Sequence, residues 1–346
     1  VQQLGIDSIT GQIIADDRIF PDYSVPSTWI WGDMGNYYGA GACGLSIYDN
    51  LFEVAFKSGP APGDPTKVKH IVPEIPGMVL NNSVVAADID YDDAYLFGAP
   101  HQMERCATGR IPRGQNNFVV KGSIPDPALL AAQQWHTQLR QKGIGIAQAP
   151  TTARLLQPST SLAVDTMMVL KSPLFKDLVK ETNMRSLNLF CEHFLLHLCL
   201  ANDEAPSYST GSRLLTEFWQ QKDIYTKGMY LNDGSGLSRF NAISARQLAG
   251  VMQQVYAGEQ QEVFFASLPV AGVSGSLRGL CSGTAAEGNL RAKSGYMTRV
   301  RSYTGVVTSK SGRPIAFAMV ANNYTCSAYQ MKLKFQRLMI ALAQVE

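Results

Sequence analysis

Lys293-Ser294-Gly295 opens a strand-like run, and the hairpin and helix downstream of it decide the fold. Ser302 to Thr308 and Pro314 to Asn322 are apolar-rich stretches joined through Ser309-Lys-Ser-Gly312, a hairpin signal. Residues 327–344 carry Met331, Phe335, Leu338, Met339 and Leu342 at helical spacing and predict a final amphipathic helix. Upstream, Ser244 and Gln247 form a capping-box pattern, and Leu248, Val251, Met252 and Val255 line one face until Gly258. A hairpin flanked by amphipathic helices predicts an antiparallel sheet with helices on both sides.

Further from that hairpin the pattern changes twice. Leu187 to Leu200 is almost wholly apolar and predicts a buried helix, with Ser186 suited to its N-cap. Ser172-Pro173 and Asp126-Pro127 each read as a cap followed by a first-turn proline. The helix after Asp126 runs through Leu129, Ala132, Trp135 and Leu139 to Gly143. Before residue 126 the chain is rich in Gly, Pro, Asn and Asp. Leu45–Asp49 and Leu51–Phe56 predict two strands in a tight hairpin around Asp49-Asn50, and Lys67–Val72 and Asn116–Val120 predict two more. The chain therefore divides near residue 148 into a β-rich part, 1–148, and a mixed α/β part, 149–346.

The 346 residues are 45% hydrophobic and 17% charged, enough for two or three domains with full cores. A net charge of +2 gives no electrostatic footprint for nucleic acid. No apolar run is long enough to span a bilayer, and Val1-Gln2-Gln3-Leu4-Gly5 shows no signal-peptide pattern. Cys43, Cys106, Cys191, Cys199, Cys281 and Cys326 include no Cys-x-x-Cys pair and read as scattered buried thiols.

A lysine on a sheet edge offers a cation to a substrate carboxylate. Ser294 adds a hydroxyl, and Gly295 keeps the backbone open to an extended peptide. A triplet of this kind alone is also ordinary surface sequence. Lys57-Ser58-Gly59 matches equally well but runs into Pro60-Ala-Pro-Gly-Asp-Pro65, a loop. Ser186-Leu187-Asn188 is weak by itself too; its functional reading makes Ser186 a proton relay and Asn188 a holder of a substrate amide.

Order and context strengthen both. Between them lies Asp233-Gly-Ser-Gly-Leu-Ser-Arg239, then Asn241; later come Leu268-Pro-Val-Ala-Gly-Val-Ser-Gly-Ser-Leu-Arg278 and Arg291-Ala-Lys-Ser-Gly295. This series resembles the low-molecular-mass class C penicillin-binding proteins, the D-Ala-D-Ala carboxypeptidase/endopeptidase family. Trp29-Ile-Trp-Gly-Asp-Met-Gly-Asn-Tyr-Tyr-Gly39 and Gly11–Phe20 resemble segments of that family's β-rich insert and its lead-in. The chain departs from the pattern with Ser294 and Ser276 for threonines, and with Tyr296-Met297-Thr298-Arg299 for smaller residues, a change expected to narrow the mouth of the site.

The resemblance implies an α/β fold: a three-layer penicillin-binding/β-lactamase-like transpeptidase domain with an antiparallel sheet, plus β-rich inserted domains. On that basis 1–148 is the accessory insert and 149–346 the C-terminal part of the penicillin-recognising domain. The implied activity is that of a serine hydrolase acting through an acyl-enzyme on D-Ala-D-Ala ends of peptidoglycan stem peptides, inhibited by β-lactams and exported to the periplasm or beyond. The implied site is Ser186, Asn188 and Lys293 for catalysis, with Lys293, Ser294, Gly295 and Tyr296 on the substrate, a backbone N–H near Tyr296 serving the oxyanion hole. No metal or organic cofactor is implied.

The family nucleophile, Ser-x-x-Lys, is absent. No serine has a lysine three places on, and among threonines only Thr66-Lys67-Val68-Lys69 does. The family places the motif ahead of the segment that Gly11–Phe20 resembles. The expectation is a fragment without the N-terminal lobe; the alternative is a non-catalytic peptidoglycan-binding or scaffolding relative. A β-lactamase-like hydrolase is disfavoured by the inserts and by Asp233–Arg239. Three other clusters read blandly. Glu192-His193 with His197 has the wrong order for a zinc helix, Asp88, Asp90, Asp92 and Asp93 lack the glycine of a calcium loop, and Trp29, Trp31, Tyr37 and Tyr38 suit a packed interface.

Overall fold

The computed structural model describes residues 5–156 and 165–346. Contacts divide the chain into two compact units, Val1–Asp165 with Glu192–Ser207, and Thr166–Cys191 with Tyr208–Glu346.

The first unit is β-rich. Leu51–Lys57 is the middle strand of a three-stranded antiparallel sheet, between Lys67–Val72 and Phe118–Ser123. Glu104–Pro112 organises a second sheet, with Val79–Asn82 and Val85–Ala87 parallel to it and Asp93–Phe97 antiparallel. Alternate residues Phe52, Val54 and Phe56 are fully buried and meet Val84, Leu96, Ile111 and Val120 in one core.

The hairpin expected around Asp49-Asn50 does not form. Tyr48–Asn50 is a short 3-10 turn with three successive positive φ values, 55°, 53° and 53°. Asn50 holds it closed. Its buried amide donates to the Gly41 carbonyl at 3.0 Å and to Ser46 Oγ at 3.1 Å, while its Oδ1 accepts from Ile47 N at 3.2 Å. Short polar side chains support left-handed backbone as readily as hairpin turns, so Asp-Asn marked the turn but not its partner strands. The strand expected at Asn116 begins at Phe118.

The helix Pro127–Gln141 follows its signals. Asp126 Oδ1 accepts from Leu129 N at 3.0 Å, and Gly143 closes the helix at φ +83°. The same carboxylate pairs with Arg154, which also reaches Asp17 at 3.4 Å. Burial alone would raise the Asp126 carboxyl. The bonds from His101 and the Leu129 amide, with the charge of Arg154, outweigh it and hold the carboxyl below its ordinary value.

The second unit is built on the sheet Arg291–Met297, Val300–Thr308 and Pro314–Asn322, antiparallel throughout. Tyr303, Val307 and Phe317 bury one face against Phe335, Met339 and Ala343 of the final helix, Ala328–Ala343. Val306 and Ala316 pack the other face against Met252 and Phe265, from the helices Ala245–Ala257 and Gln261–Ser267. A helix lies on each side of the sheet, as the sequence predicts. The helix expected from Ser172-Pro173 starts later, at Phe175, with the extended Leu174 as N-cap. The Ser172 hydroxyl turns to the Pro173 carbonyl at 3.0 Å instead of capping. All six cysteines are free thiols; Cys43, Cys199 and Cys281 are buried as expected, whereas Cys106 is exposed and Cys191 and Cys326 are half-buried.

Candidate active site

Phe175–Arg185 ends at Ser186, which takes left-handed backbone, φ 57° and ψ 56°, and returns its N–H to the Thr182 carbonyl. The next helix begins at Asn188. Ser186 is therefore the C-cap of the preceding helix and not the N-cap of the apolar one. Serine fits both ends by composition; the two-residue break that separates the helices is a matter of backbone geometry. Left-handed backbone costs a non-glycine residue about 1 kcal/mol, and here it presents the exposed Ser186 hydroxyl to the sheet.

Lys293 lies in the strand Arg291–Met297. Its Nζ donates to Ser186 Oγ at 2.7 Å and to the carbonyl of Ser294 at 2.9 Å. Burial pushes the Lys293 amine below the ordinary lysine value, and the Cys191 thiol, one turn past Asn188, partly offsets that. Side chains alternate along a strand, so Ser294 leaves on the opposite face and donates its hydrogen to Ser276 Oγ at 2.8 Å. Gly295 pairs with Ser302, and a Cβ on it would lie 2.4 Å from Ser302 Oγ. The glycine thus admits a neighbouring hydroxyl as well as opening the backbone.

Tyr296 is exposed, and the Arg301 guanidinium stacks 4.8 Å from its ring centroid while donating to Tyr303 Oη at 3.0 Å. Thr298 and Arg299 form the hairpin tip, with Arg299 at φ 61°. The structure thus brings Ser186, Lys293 and Ser294 into one bonded series. Asn188 is placed two residues beyond Ser186 at the head of its helix.

Asp233–Arg239 is a loop tied to one carboxylate. Asp233 accepts from Gly236 N at 2.9 Å, Ser238 N at 2.5 Å and Asn241 Nδ2 at 2.6 Å. These residues shape the loop, leaving Arg239 and Phe240 exposed. Two residues near the site are not singled out by the sequence. Ser276 stands there only as a replacement for threonine, and Arg301 carries no signal beyond its place opposite Tyr296. The pairing of both is set by register and loop packing, which spacing along the chain does not encode.

The other residues weighed from the sequence have partners within their own unit. Thr66 is buried with its hydroxyl on the Val84 carbonyl at 2.9 Å, and Ser58 likewise on Pro112 at 2.7 Å. Asp88 pairs with Arg113 and Asp93 with Arg110, each at 2.5 Å. His193 Nε2 meets Ser46 Oγ at 3.0 Å, and its ring packs on Phe20. Among the described residues no cluster of His, Cys, Asp and Glu could hold a metal ion.

The sequence pattern of the D-Ala-D-Ala carboxypeptidase 3 (S13) family matches residues 1–344. The chain belongs to that family. Among S13 relatives it is 24% identical over 345 residues to D-alanyl-D-alanine carboxypeptidase DacB of Haemophilus influenzae, covering 96% of this chain and 69% of the relative. It is 27% identical over 351 residues to the D-alanyl-D-alanine carboxypeptidase of Actinomadura sp., covering 93% of this chain and 61% of the relative. The fold of this S13 chain superposes on the crystal structure of penicillin-binding protein 4 from Haemophilus influenzae with a TM-score of 0.84 at 21% identity, covering 99% of this chain and 77% of that one. A second structure of that protein, complexed with a β-lactam, gives a TM-score of 0.74 at 20% identity, covering 99% and 76%. The penicillin-binding fold with additional β-rich structure is the one expected from the sequence. Among the described residues no helix is long and apolar enough to cross a membrane.

Proposed function

We propose that Ser186, Asn188, Lys293 and Ser294 form the substrate-binding and proton-relay side of a serine D-Ala-D-Ala carboxypeptidase/endopeptidase acting on peptidoglycan stem peptides. The observation that carries this is the 2.7 Å bond from Lys293 Nζ to Ser186 Oγ, in a chain of the S13 family. A partly buried ammonium beside a hydroxyl supplies two things at one point: a cation for a terminal carboxylate and a path for a proton.

In this reading Lys293 and Ser294 bind the carboxylate of the terminal D-Ala, and the open backbone of Gly295 and Tyr296 lies along the peptide. Asn188 orients the peptide amide, and a backbone N–H near Tyr296 serves the oxyanion. An acylating serine attacks the carbonyl of the penultimate D-Ala. The amide C–N bond breaks, the terminal D-Ala leaves with the proton relayed through Ser186, and water hydrolyses the ester. The 346 residues contain no Ser-x-x-Lys to supply that serine. They are assigned the binding and relay roles, with residues 1–148 as an accessory body and 149–346 as the C-terminal part of the penicillin-recognising domain. Carboxypeptidase relatives and a relative holding a β-lactam support peptidoglycan peptides and β-lactams as ligands, and an exported location.

A second reading, a non-catalytic peptidoglycan-binding relative, is favoured by the missing Ser-x-x-Lys. Acylation of the full-length gene product by a fluorescent penicillin separates the two. The enzyme reading expects labelling that falls about 100-fold in Lys293→Ala, as loss of a charged group acting on the reacting centre does. No labelling favours the binding protein, and unchanged labelling of the variant removes Lys293 from the site.

A further inference from the structure

We propose that Ser276 is a positioning residue of the carboxylate subsite, holding the Ser294 hydroxyl in place and keeping one hydrogen available to a ligand carboxylate. The inference rests on the reading of Lys293 and Ser294 as that subsite. A serine hydroxyl has a single hydrogen. In the structure Ser294 gives it to Ser276 Oγ at 2.8 Å. Alone, that arrangement would turn only lone pairs of Ser294 toward an arriving anion. Two hydroxyls in series carry two hydrogens, however, so one is spent between them and one is left over. Rotation about two C–O bonds reverses the series without moving a heavy atom. Ser276 then donates to Ser294, and Ser294 donates to the carboxylate.

The loop bearing Ser276 is built to hold it still. Ser276 lies in the 3-10 turn Gly275–Leu277, and Leu277 and Ala271 on either side are fully buried. Gly272 N bonds the Leu277 carbonyl at 3.0 Å, and Val270 N bonds Ser274 Oγ at 3.0 Å. The loop is tied to the Lys293 strand by Ala292 N on Pro269 O at 3.0 Å and to its approach by Ala271 N on Leu290 O at 2.9 Å. Gly275, at φ +54°, packs so closely that a Cβ would come within 2.8 Å of Pro269 Cγ and 3.1 Å of the Met184 carbonyl. Met184 is two residues from Ser186, so the turn that carries Ser276 packs against the end of the helix that carries Ser186, with Ser186 bonded to Lys293 and Ser276 to Ser294. Ser276 itself is exposed. A hydrogen bond between two accessible serines adds little to stability, which water can replace. What water cannot replace is the fixed rotamer of Ser294.

The test uses the 346-residue chain and two probes, an N-acylated tripeptide ending in D-Ala-D-Ala and its C-terminal amide. Titrations followed at the Gly295 backbone amide give the preference for acid over amide. The unmodified chain prefers the acid. Ser276→Ala and Ser276→Gly weaken acid binding about five-fold with little change for the amide, and Ser276→Thr returns it to within about two-fold, the scale of one neutral hydrogen bond. Lys293→Ala abolishes the preference. If Lys293→Ala loses the preference while Ser276→Ala keeps it in full, the role of Ser276 is overturned and the carboxylate reading stands. If Ser276→Thr behaves like Ser276→Ala, the hydroxyl is not the cause and the role is again overturned. If the unmodified chain shows no preference, or Lys293→Ala retains it, both fall.

Discussion

The Lys293 amine and the Ser186 hydroxyl meet at 2.7 Å across 107 residues of chain. One group is brought by a sheet strand and the other by a left-handed helix cap, so each can be perturbed without removing the other's support.

The first consequence is a pH dependence. Burial lowers the Lys293 amine, so it gives up its proton below the ordinary lysine value of 10.5. Carboxylate binding needs the protonated amine. The preference for a D-Ala-D-Ala acid over its amide therefore weakens as pH rises, and begins to weaken at a lower pH than an ordinary solvated lysine would give. Lys293→Arg carries its preference to higher pH, because a guanidinium stays charged. Titrations repeated across pH 7 to 11 check this.

Ser186 separates stability from binding. Glycine accepts left-handed backbone without a Cβ penalty, which offsets its greater entropy in the unfolded chain. Ser186→Gly is expected to melt at an equal or higher temperature while losing the bond to Lys293. Ser186→Val is expected to melt lower than the unmodified chain, because a second γ branch adds strain to the left-handed backbone that serine already occupies at a cost of about 1 kcal/mol. Thermal melts beside the acid-versus-amide titration read both.

His193 sets an acid limit. Burial, followed by the neighbouring His197, lowers its imidazole to about 4 from the ordinary 6.5. The folded form holds it neutral while the unfolded chain protonates it near 6.5. Stability from this residue is complete above 6.5 and declines as pH falls toward 4, by an amount on the order of 3 kcal/mol. Denaturation midpoints at pH 7 and pH 4.5 differ less in His193→Gln. Equal differences in the two proteins would remove His193 as the cause.

Asp233 fastens its loop through three hydrogen bonds from Gly236, Ser238 and Asn241. Asp233→Ala strands those donors and is expected to cost about 3 kcal/mol. Asp233→Asn keeps an acceptor and costs less. Urea denaturation ranks the three proteins, and an unaffected Asp233→Ala would mean that the loop is held by other contacts.

Covalent capture needs a serine beside a lysine able to take its proton, and alignment of a ligand does not supply that chemistry. The 346-residue chain is expected to form no stable adduct with penicillin. Intact-mass measurement after incubation checks it, and a stoichiometric adduct on any serine would demand a different nucleophile.

Elements whose signals are local are legible in the amino-acid order alone. Capping pairs such as Ser244 with Gln247, the Asp126-Pro127 helix start and the hairpin through Ser309–Gly312 are fixed by neighbours a few residues apart. The amino-acid order also brought Lys293 and Ser186 forward as candidates, since their motifs stand in order along the chain. Features that depend on register and on non-local bonds emerge only in the folded chain. Asp49-Asn50 became a left-handed turn because the Asn50 amide found Gly41 and Ser46, and Ser186 became a C-cap because its backbone closed on Thr182. Ser276 reached Ser294 across 18 residues because a buried loop aims it there. A residue's type states what bonds it can make; the packing of segments distant in sequence selects which of them it makes.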